Sequence, residues 1–160
     1  MLKTVDEIIL HYRSRYPLIW IISHEEARAV GAVDRASQTL KVPYAVWSGP
    51  GWGNAGAPSL ASGEDPSAAL EEIADNASPA LFVLKDFHAY LHTPAIVRRL
   101  RDVMPRLLAR GQAIIIVSPV LQIPVELEKD VAILDMPLPA DDELRAIFNA
   151  VMVERQAILP

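Results

Sequence analysis

Residues 18–28 read LIWIISHEEAR, and this stretch decides the fold class. Leu18 to Ile22 is an unbroken apolar run with β-branched and aromatic members, the pattern of a strand covered on both faces. Ser23-His24-Glu25-Glu26 follows at once with the S-x-x-E spacing of a capping box. That predicts Ser23 as N-cap and Glu26 at the third helical position. Ala27, Val30, Ala36 and Leu40 then recur at helical spacing. A strand that runs straight into a helix is half of a parallel crossover unit.

The same alternation extends in both directions. Upstream, Thr4-Val5-Asp6-Glu7 is a second capping box, predicting a helix with Val5, Ile8 and Ile9 on one face and an end at Pro17. Downstream, Val42 to Trp47 reads as a strand near a sheet edge, because Pro43 has no N–H for a ladder. Ser48 to Gly63, rich in Gly, Pro, Ser and Ala, reads as a flexible surface loop. Asp65-Pro66 opens a helix to about Asn76, by an N-cap followed by proline. Ala80 to Leu84 (ALFVL) and Ala113 to Val117 (AIIIV) read as buried strands. Between them Thr93-Pro94 opens a helix that Gly111 stops and Pro105 is expected to kink. A short turn of helix at Val125 to Lys129 precedes a last strand, Val131 to Leu134. Ala140-Asp141-Asp142-Glu143 then starts a final helix with an acidic first turn.

Five apolar strands alternating with helices predict an α/β fold of three layers: a mostly parallel five-stranded sheet with helices on both faces. The 160 residues are enough for one core. No internal repeat or linker divides them, so one domain is expected over 1–160.

Composition narrows the function classes. The formal net charge is −5, and no basic block interrupts the chain, which speaks against nucleic-acid and anionic-membrane partners. The absence of cysteine removes disulfides and thiolate metal sites. No apolar run approaches the roughly 18 residues of a membrane span. Residues 1–17 carry charges throughout, unlike a signal peptide, so a cytoplasmic address is expected.

In a doubly wound sheet, ligands bind outside the carboxyl ends of the strands. A phosphate cradle there needs a Gly-rich turn after the first strand, then Lys and Ser/Thr. The first strand instead ends in SHEEAR, with no glycine and no lysine, and Glu25 and Glu26 would repel a phosphate. Gly51, Gly53 and Gly56 do contain the G-x-x-x-x-G spacing, from Gly51 to Gly56, but Ala57-Pro58 follows where Lys-Ser/Thr is required. Asp86 directly follows an apolar strand, where a magnesium-binding acid sits in nucleotide hydrolases, yet the next residue is Phe87 rather than a second acid. His88 and His92 have the i, i+4 spacing of a zinc pair but lack a third ligand. Ser118 ends a strand without a nucleophile elbow. No catalytic residue, metal or resident cofactor is therefore expected. ATP with magnesium belongs only to an alternative reading, in which the glycines bind nucleotide without hydrolysis. A small stand-alone hydrolase using Asp86, His88 or Ser118 ranks last.

Four stretches carry a family resemblance: RSRYPLIWIISHEEAR (13–28), FVLKDFHAYL (82–91), IIIVSPVLQIPVELEKDVAILDMPLP (114–139) and DDELRAIF (141–148). Together they resemble the N-terminal, degenerate P-loop-like region of a group of AAA-family ATPases found in cyanobacteria, plastid genomes and other bacteria. The resemblance covers nearly the whole chain except 48–63. It implies strand order 5-1-4-3-2, with Asp86 at the Walker B position and Ser118 at that of sensor 1. It also implies a non-catalytic domain that assembles or regulates an ATPase module carrying the working motifs. Partners would be that module or further copies in a ring. The Gly/Trp loop and the helix bearing Arg98, Arg99, Arg101, Arg106 and Arg110 are the expected contact surfaces, although helical spacing alone would make those arginines a solvated face.

Overall fold

Alternation along each strand divides the core into two halves, one on either face of a single sheet. In the computed structural model, residues 2–49, 51–53 and 63–158 are described. The elements are α1 (Leu2–Arg13), β1 (Leu18–Ile22), α2 (Glu26–Leu40), β2 (Tyr44–Ser48), β3 (Gly51–Gly53), α3 (Pro66–Asp75), β4 (Ala80–Lys85), α4 (Pro94–Arg110), β5 (Gln112–Ser118), β6 (Val131–Asp135) and α5 (Asp141–Ile158). Short 3-10 turns lie at Phe87–Tyr90 and Val125–Leu127.

The sheet order is β3-β2-β4-β5-β1-β6. All pairings are parallel except β2 with β3. The five expected strands thus stand in the expected order, and the correction is a sixth. Gly51–Gly53 turns back antiparallel on β2, with Trp47 opposite Trp52. Two glycines in three residues give no period-2 signal, so this strand is invisible to hydrophobic patterning. Trp52 nonetheless packs edge-on against Phe82.

Ile19, Ile21, Val83, Ile115 and Val117 face α1 and α2, while Trp20, Phe82, Leu84, Ile114 and Ile116 face α3 and α4. β5 is buried along its whole length, as a central parallel strand must be. At the amino edge, Gln112 donates to the carbonyls of Asn76 and Ser78, which fastens β5 to the α3–β4 connection. Tyr12 donates to the Gly111 carbonyl at 2.7 Å. Burial raises the Tyr12 phenol above its ordinary pKa, with Arg15 opposing.

Both capping boxes are corrected. α1 already includes Thr4, whose side chain is buried, so it is no N-cap. α2 begins at Glu26, three residues past Ser23, with Glu25 at the cap position and no side-chain cap bond. Helices α3 and α4 start as expected after Asp65 and Thr93, and Asp65 accepts from the Ser67 N–H at 2.8 Å. α4 runs on through Pro105.

Candidate functional site

The carboxyl edge of the sheet is where a nucleotide would bind, and four strand ends meet there. The Ser23 N–H donates to the Ser118 carbonyl at 3.0 Å, carrying the β1–β5 ladder one step further. The Ser23 hydroxyl accepts from the Glu25 N–H at 3.0 Å. Strand becomes helix within Ser23, His24 and Glu25, which leaves no loop wide enough to wrap a phosphate.

The charges at this edge are arranged opposite to a phosphate site. The Lys85 ammonium, at the end of β4, lies 2.9 Å from the Glu26 carboxylate in the first turn of α2. This ion pair spans the end of β5, which separates the two strands. In a P-loop the lysine stands on the helix side and the acid at the strand end; here the signs are exchanged. Glu25 is engaged by Arg28 at 3.0 Å. Arg28 is 7% exposed and also donates to the Pro137 carbonyl at 2.6 Å and to Glu143 at 2.8 Å. It ties the start of α2 to the segment after β6 and to α5.

Asp86 takes a left-handed conformation at φ 51° and leads into the turn at Phe87–Tyr90. Its N–H donates to the Val117 carbonyl at 2.9 Å, while its side chain is 53% exposed. That turn is anchored by Phe87, buried against Trp47 and Tyr90. It carries His88 to Ser118, with 2.8 Å between Nδ1 and Oγ. Asp86 Oδ1 is 4.0 Å from the same Nδ1.

Sequence reasoning found no Ser/His/Asp arrangement, and the fold does gather these three. Their geometry is not that of a triad. In a triad, Ser and Asp engage opposite ring nitrogens; here both lie on Nδ1. Ser118 is 1% exposed, its hydroxyl donates to the Val120 carbonyl at 2.9 Å, and its oxygen accepts from the Val120 N–H at 3.2 Å. With that proton committed, the consistent assignment puts the His88 proton on Nδ1, donating to Ser118. The serine then holds the 119–120 turn against β5 and has no lone pair placed for attack.

The glycines are elsewhere. Gly51 and Gly53 lie in β3 at the sheet edge, two strands from the end of β4 and three from that of β5. Gly56 lies outside the described residues. Asp86 and Ser118 are thus brought together, and Gly51 and Gly53 are not brought to them. What sequence reasoning missed is the Lys85–Glu26 pair and the Arg28 clamp. Lys85 beside Asp86 and Glu26 beside the strand end were visible singly; only the strand order pairs them. Among the described residues, no three His, Cys, Asp or Glu side chains gather as a metal site. No helix among them is long and apolar enough to cross a membrane.

Comparison with known proteins agrees with this geometry at the level of fold and family. The chain is 33% identical over 148 residues to the AAA domain-containing protein ycf46 of Trieres chinensis, covering 89% of this chain and 30% of that protein. It is 31% identical over 145 residues to ycf46 of Guillardia theta, covering 88% and 29%. The chain therefore spans less than a third of these relatives. Among solved structures, C. elegans PCH-2 shares the fold, with a TM-score of 0.59 at 13% identity over 98% of this chain and 47% of that one. Residues 4–136 match the SpoVK-like AAA ATPase N-terminal domain, and the chain belongs to that family.

Proposed function

We propose that this chain is a non-catalytic AAA-like domain that serves the assembly or regulation of an ATPase module, working in the cytoplasm. The observation that carries the reading is the Lys85–Glu26 ion pair across the end of β5. A triphosphate brought to this edge would meet the carboxylates of Glu25 and Glu26 at a helix start whose turn offers no Gly-rich cradle. Binding there would require breaking the ion pair and setting like charges side by side. Asp86 and Ser118 keep their places at strand ends but have structural work: Asp86 opens a turn, and Ser118 receives His88. The alternative reading, nucleotide held by Gly51, Gly53 and Gly56 with Asp86 and Ser118, has two of its glycines paired in β3 and remote from the acid and the serine.

Isothermal titration with ATP-Mg and ADP-Mg tests the proposal. No heat of binding is expected at millimolar nucleotide. Micromolar binding would overturn it, and Gly51→Val and Gly53→Val would then show whether β3 is the site.

A further inference from the structure

The two faces of the sheet are covered unequally at the β6 edge. On the α1–α2 side, Ala132 and Leu134 are buried in one cluster with Val5 and Ile8 of α1. On the other side, the cover over β1 and β6 is the crossover from β5, residues 119–130, whose helical content is the 3-10 turn at Val125–Leu127. Parallel strands are ordinarily joined by a helix that shields them; here a connector takes its place. The Trp20 indole N–H donates to the Val120 carbonyl at 3.2 Å, and Leu127 is buried in the cluster that holds Val131. That cover is incomplete. Ile133 is the register partner of Trp20 and so shares its face, yet it is 49% exposed. Val120 and Val125 are 40 and 78% exposed.

We infer that a helix of a partner protein, apolar along one face and flanked by Lys or Arg, completes this layer over β1 and β6. This rests on the assembly role proposed above and states the chemistry of the partner. The apolar part of the surface is Ile133 with Val120 and Val125. The charge around it is acidic. Asp135 stands on the same face as Ile133, one step nearer the carboxyl edge, while Glu128 and Asp130 lead into the strand at its other end. All three are exposed and make no ion pair among the described residues. Lys129 is the one base between Val120 and Met136. Glu126 is set apart, lining a groove beside α4 with Arg98 and Arg101.

Three observations select this occupant. The layer to be completed is helical, since α3 and α4 lie on the same face of the sheet. Acid at both ends of the apolar strip favours a basic segment and refuses an acidic one, because like charges set side by side disfavour the wrong partner. The same acids disfavour nucleic acid and anionic lipid. A second copy of this chain offers no such helix among the described residues: α4 carries the arginines but buries its apolar face in its own core, and α5 opens with Asp141, Asp142 and Glu143.

Fluorescence anisotropy on the full chain tests this with three labelled peptides: an amphipathic leucine/lysine helix, its leucine/glutamate counterpart, and a scrambled leucine/lysine peptide of the same composition. The first should bind and gain helical circular dichroism; the other two should not bind. Ile133→Lys should weaken binding at least about tenfold, the worth of one large apolar side chain. Leu138→Lys makes the same change of charge at a position 84% exposed beyond β6 and should leave affinity as it is. Glu128→Lys with Asp135→Lys should turn the preference toward the leucine/glutamate helix. Circular dichroism checks that each variant is folded, and Ile133→Thr, which keeps a β-branched residue in the strand, replaces Ile133→Lys if that one is not. Equal weakening by the two lysine substitutions overturns the inference, since it would mean adsorption to net negative charge alone. So does binding of the scrambled peptide, and so does binding without a gain of helix, which would mean that an extended segment pairs with the open edge of β6. Nucleotide titration is independent of these results: ATP binding would overturn the non-catalytic reading and leave the surface standing, and failure of the peptide to bind would do the reverse.

Discussion

Ser118 shows how a residue at a catalytic position comes to serve structure. A strand-end serine beside a histidine and an aspartate is a list from which a hydrolase is easily imagined. The distances assign the hydroxyl otherwise: it is buried, donates to Val120 and receives both the Val120 N–H and His88. Ser118→Ala would take the acceptor from two donors, the Val120 N–H and the His88 ring N–H. The expected loss is about 1 kcal/mol, the net worth of a protein hydrogen bond, read as a lower urea midpoint at unchanged slope. Ser118→Cys keeps an acceptor of nearly the same shape and should recover part of the loss. If alanine leaves the midpoint in place, the bonds to Val120 and His88 contribute nothing. None of this was legible in the sequence, because the 30-residue separation of His88 and Ser118 is closed only by the β4–β5 pairing.

At the scale of elements, sequence and structure agree wherever the signal is local and apolar. The runs LIWII, ALFVL, AIIIV and VAIL became β1, β4, β5 and β6; the first three are interior strands covered on both faces and so apolar throughout, while β6, at the sheet edge, leaves Ile133 exposed. Disagreement arose where one short pattern serves two geometries. Ser23-x-x-Glu26 has capping-box spacing, yet the Ser23 hydroxyl closes a turn ahead of the helix and Glu26 is drawn to Lys85. The stop of α4 was legible because its cause is conformational. Gly111 sits at φ 66°, and its N–H returns to the Leu107 carbonyl. A Cβ added there would lie 3.6 Å from the Tyr12 hydroxyl, an ordinary contact. The cost of Gly111→Ala is therefore backbone strain of about 1–2 kcal/mol, as for any L-residue held left-handed. Thermal unfolding checks this, and Gly111→Asn should cost less, since asparagine tolerates that region better. Equal losses for alanine and asparagine would point to steric crowding instead.

For the whole molecule, the family boundary and the core coincide. The family match ends at Met136, which is also the last residue of the buried cluster on the α1–α2 face. α5 lies beyond both, and its described tie to the body is the Arg28 clamp. A chain ending after Met136 is therefore expected to fold cooperatively. The urea m-value should fall little, because m follows the surface exposed on unfolding and α5 buries little of its own. Stability should fall more than that area implies. Truncation deletes Glu143 and the Pro137 carbonyl, leaving the Arg28 guanidinium, 7% exposed in the full chain, with Glu25 as its remaining described partner. Removing one side of such a pair destabilises, largely through the charge left with fewer partners. Arg28→Met discriminates between the two contributions. In the full chain it should destabilise, because the Arg28 bonds to Glu143 and to the Pro137 carbonyl are lost. In the truncated chain it should stabilise, because the orphan is gone and an apolar side chain of similar length fills its place. Destabilisation in both backgrounds would mean that the arginine acts by packing alone, and that α5 is held to the body by something other than this clamp.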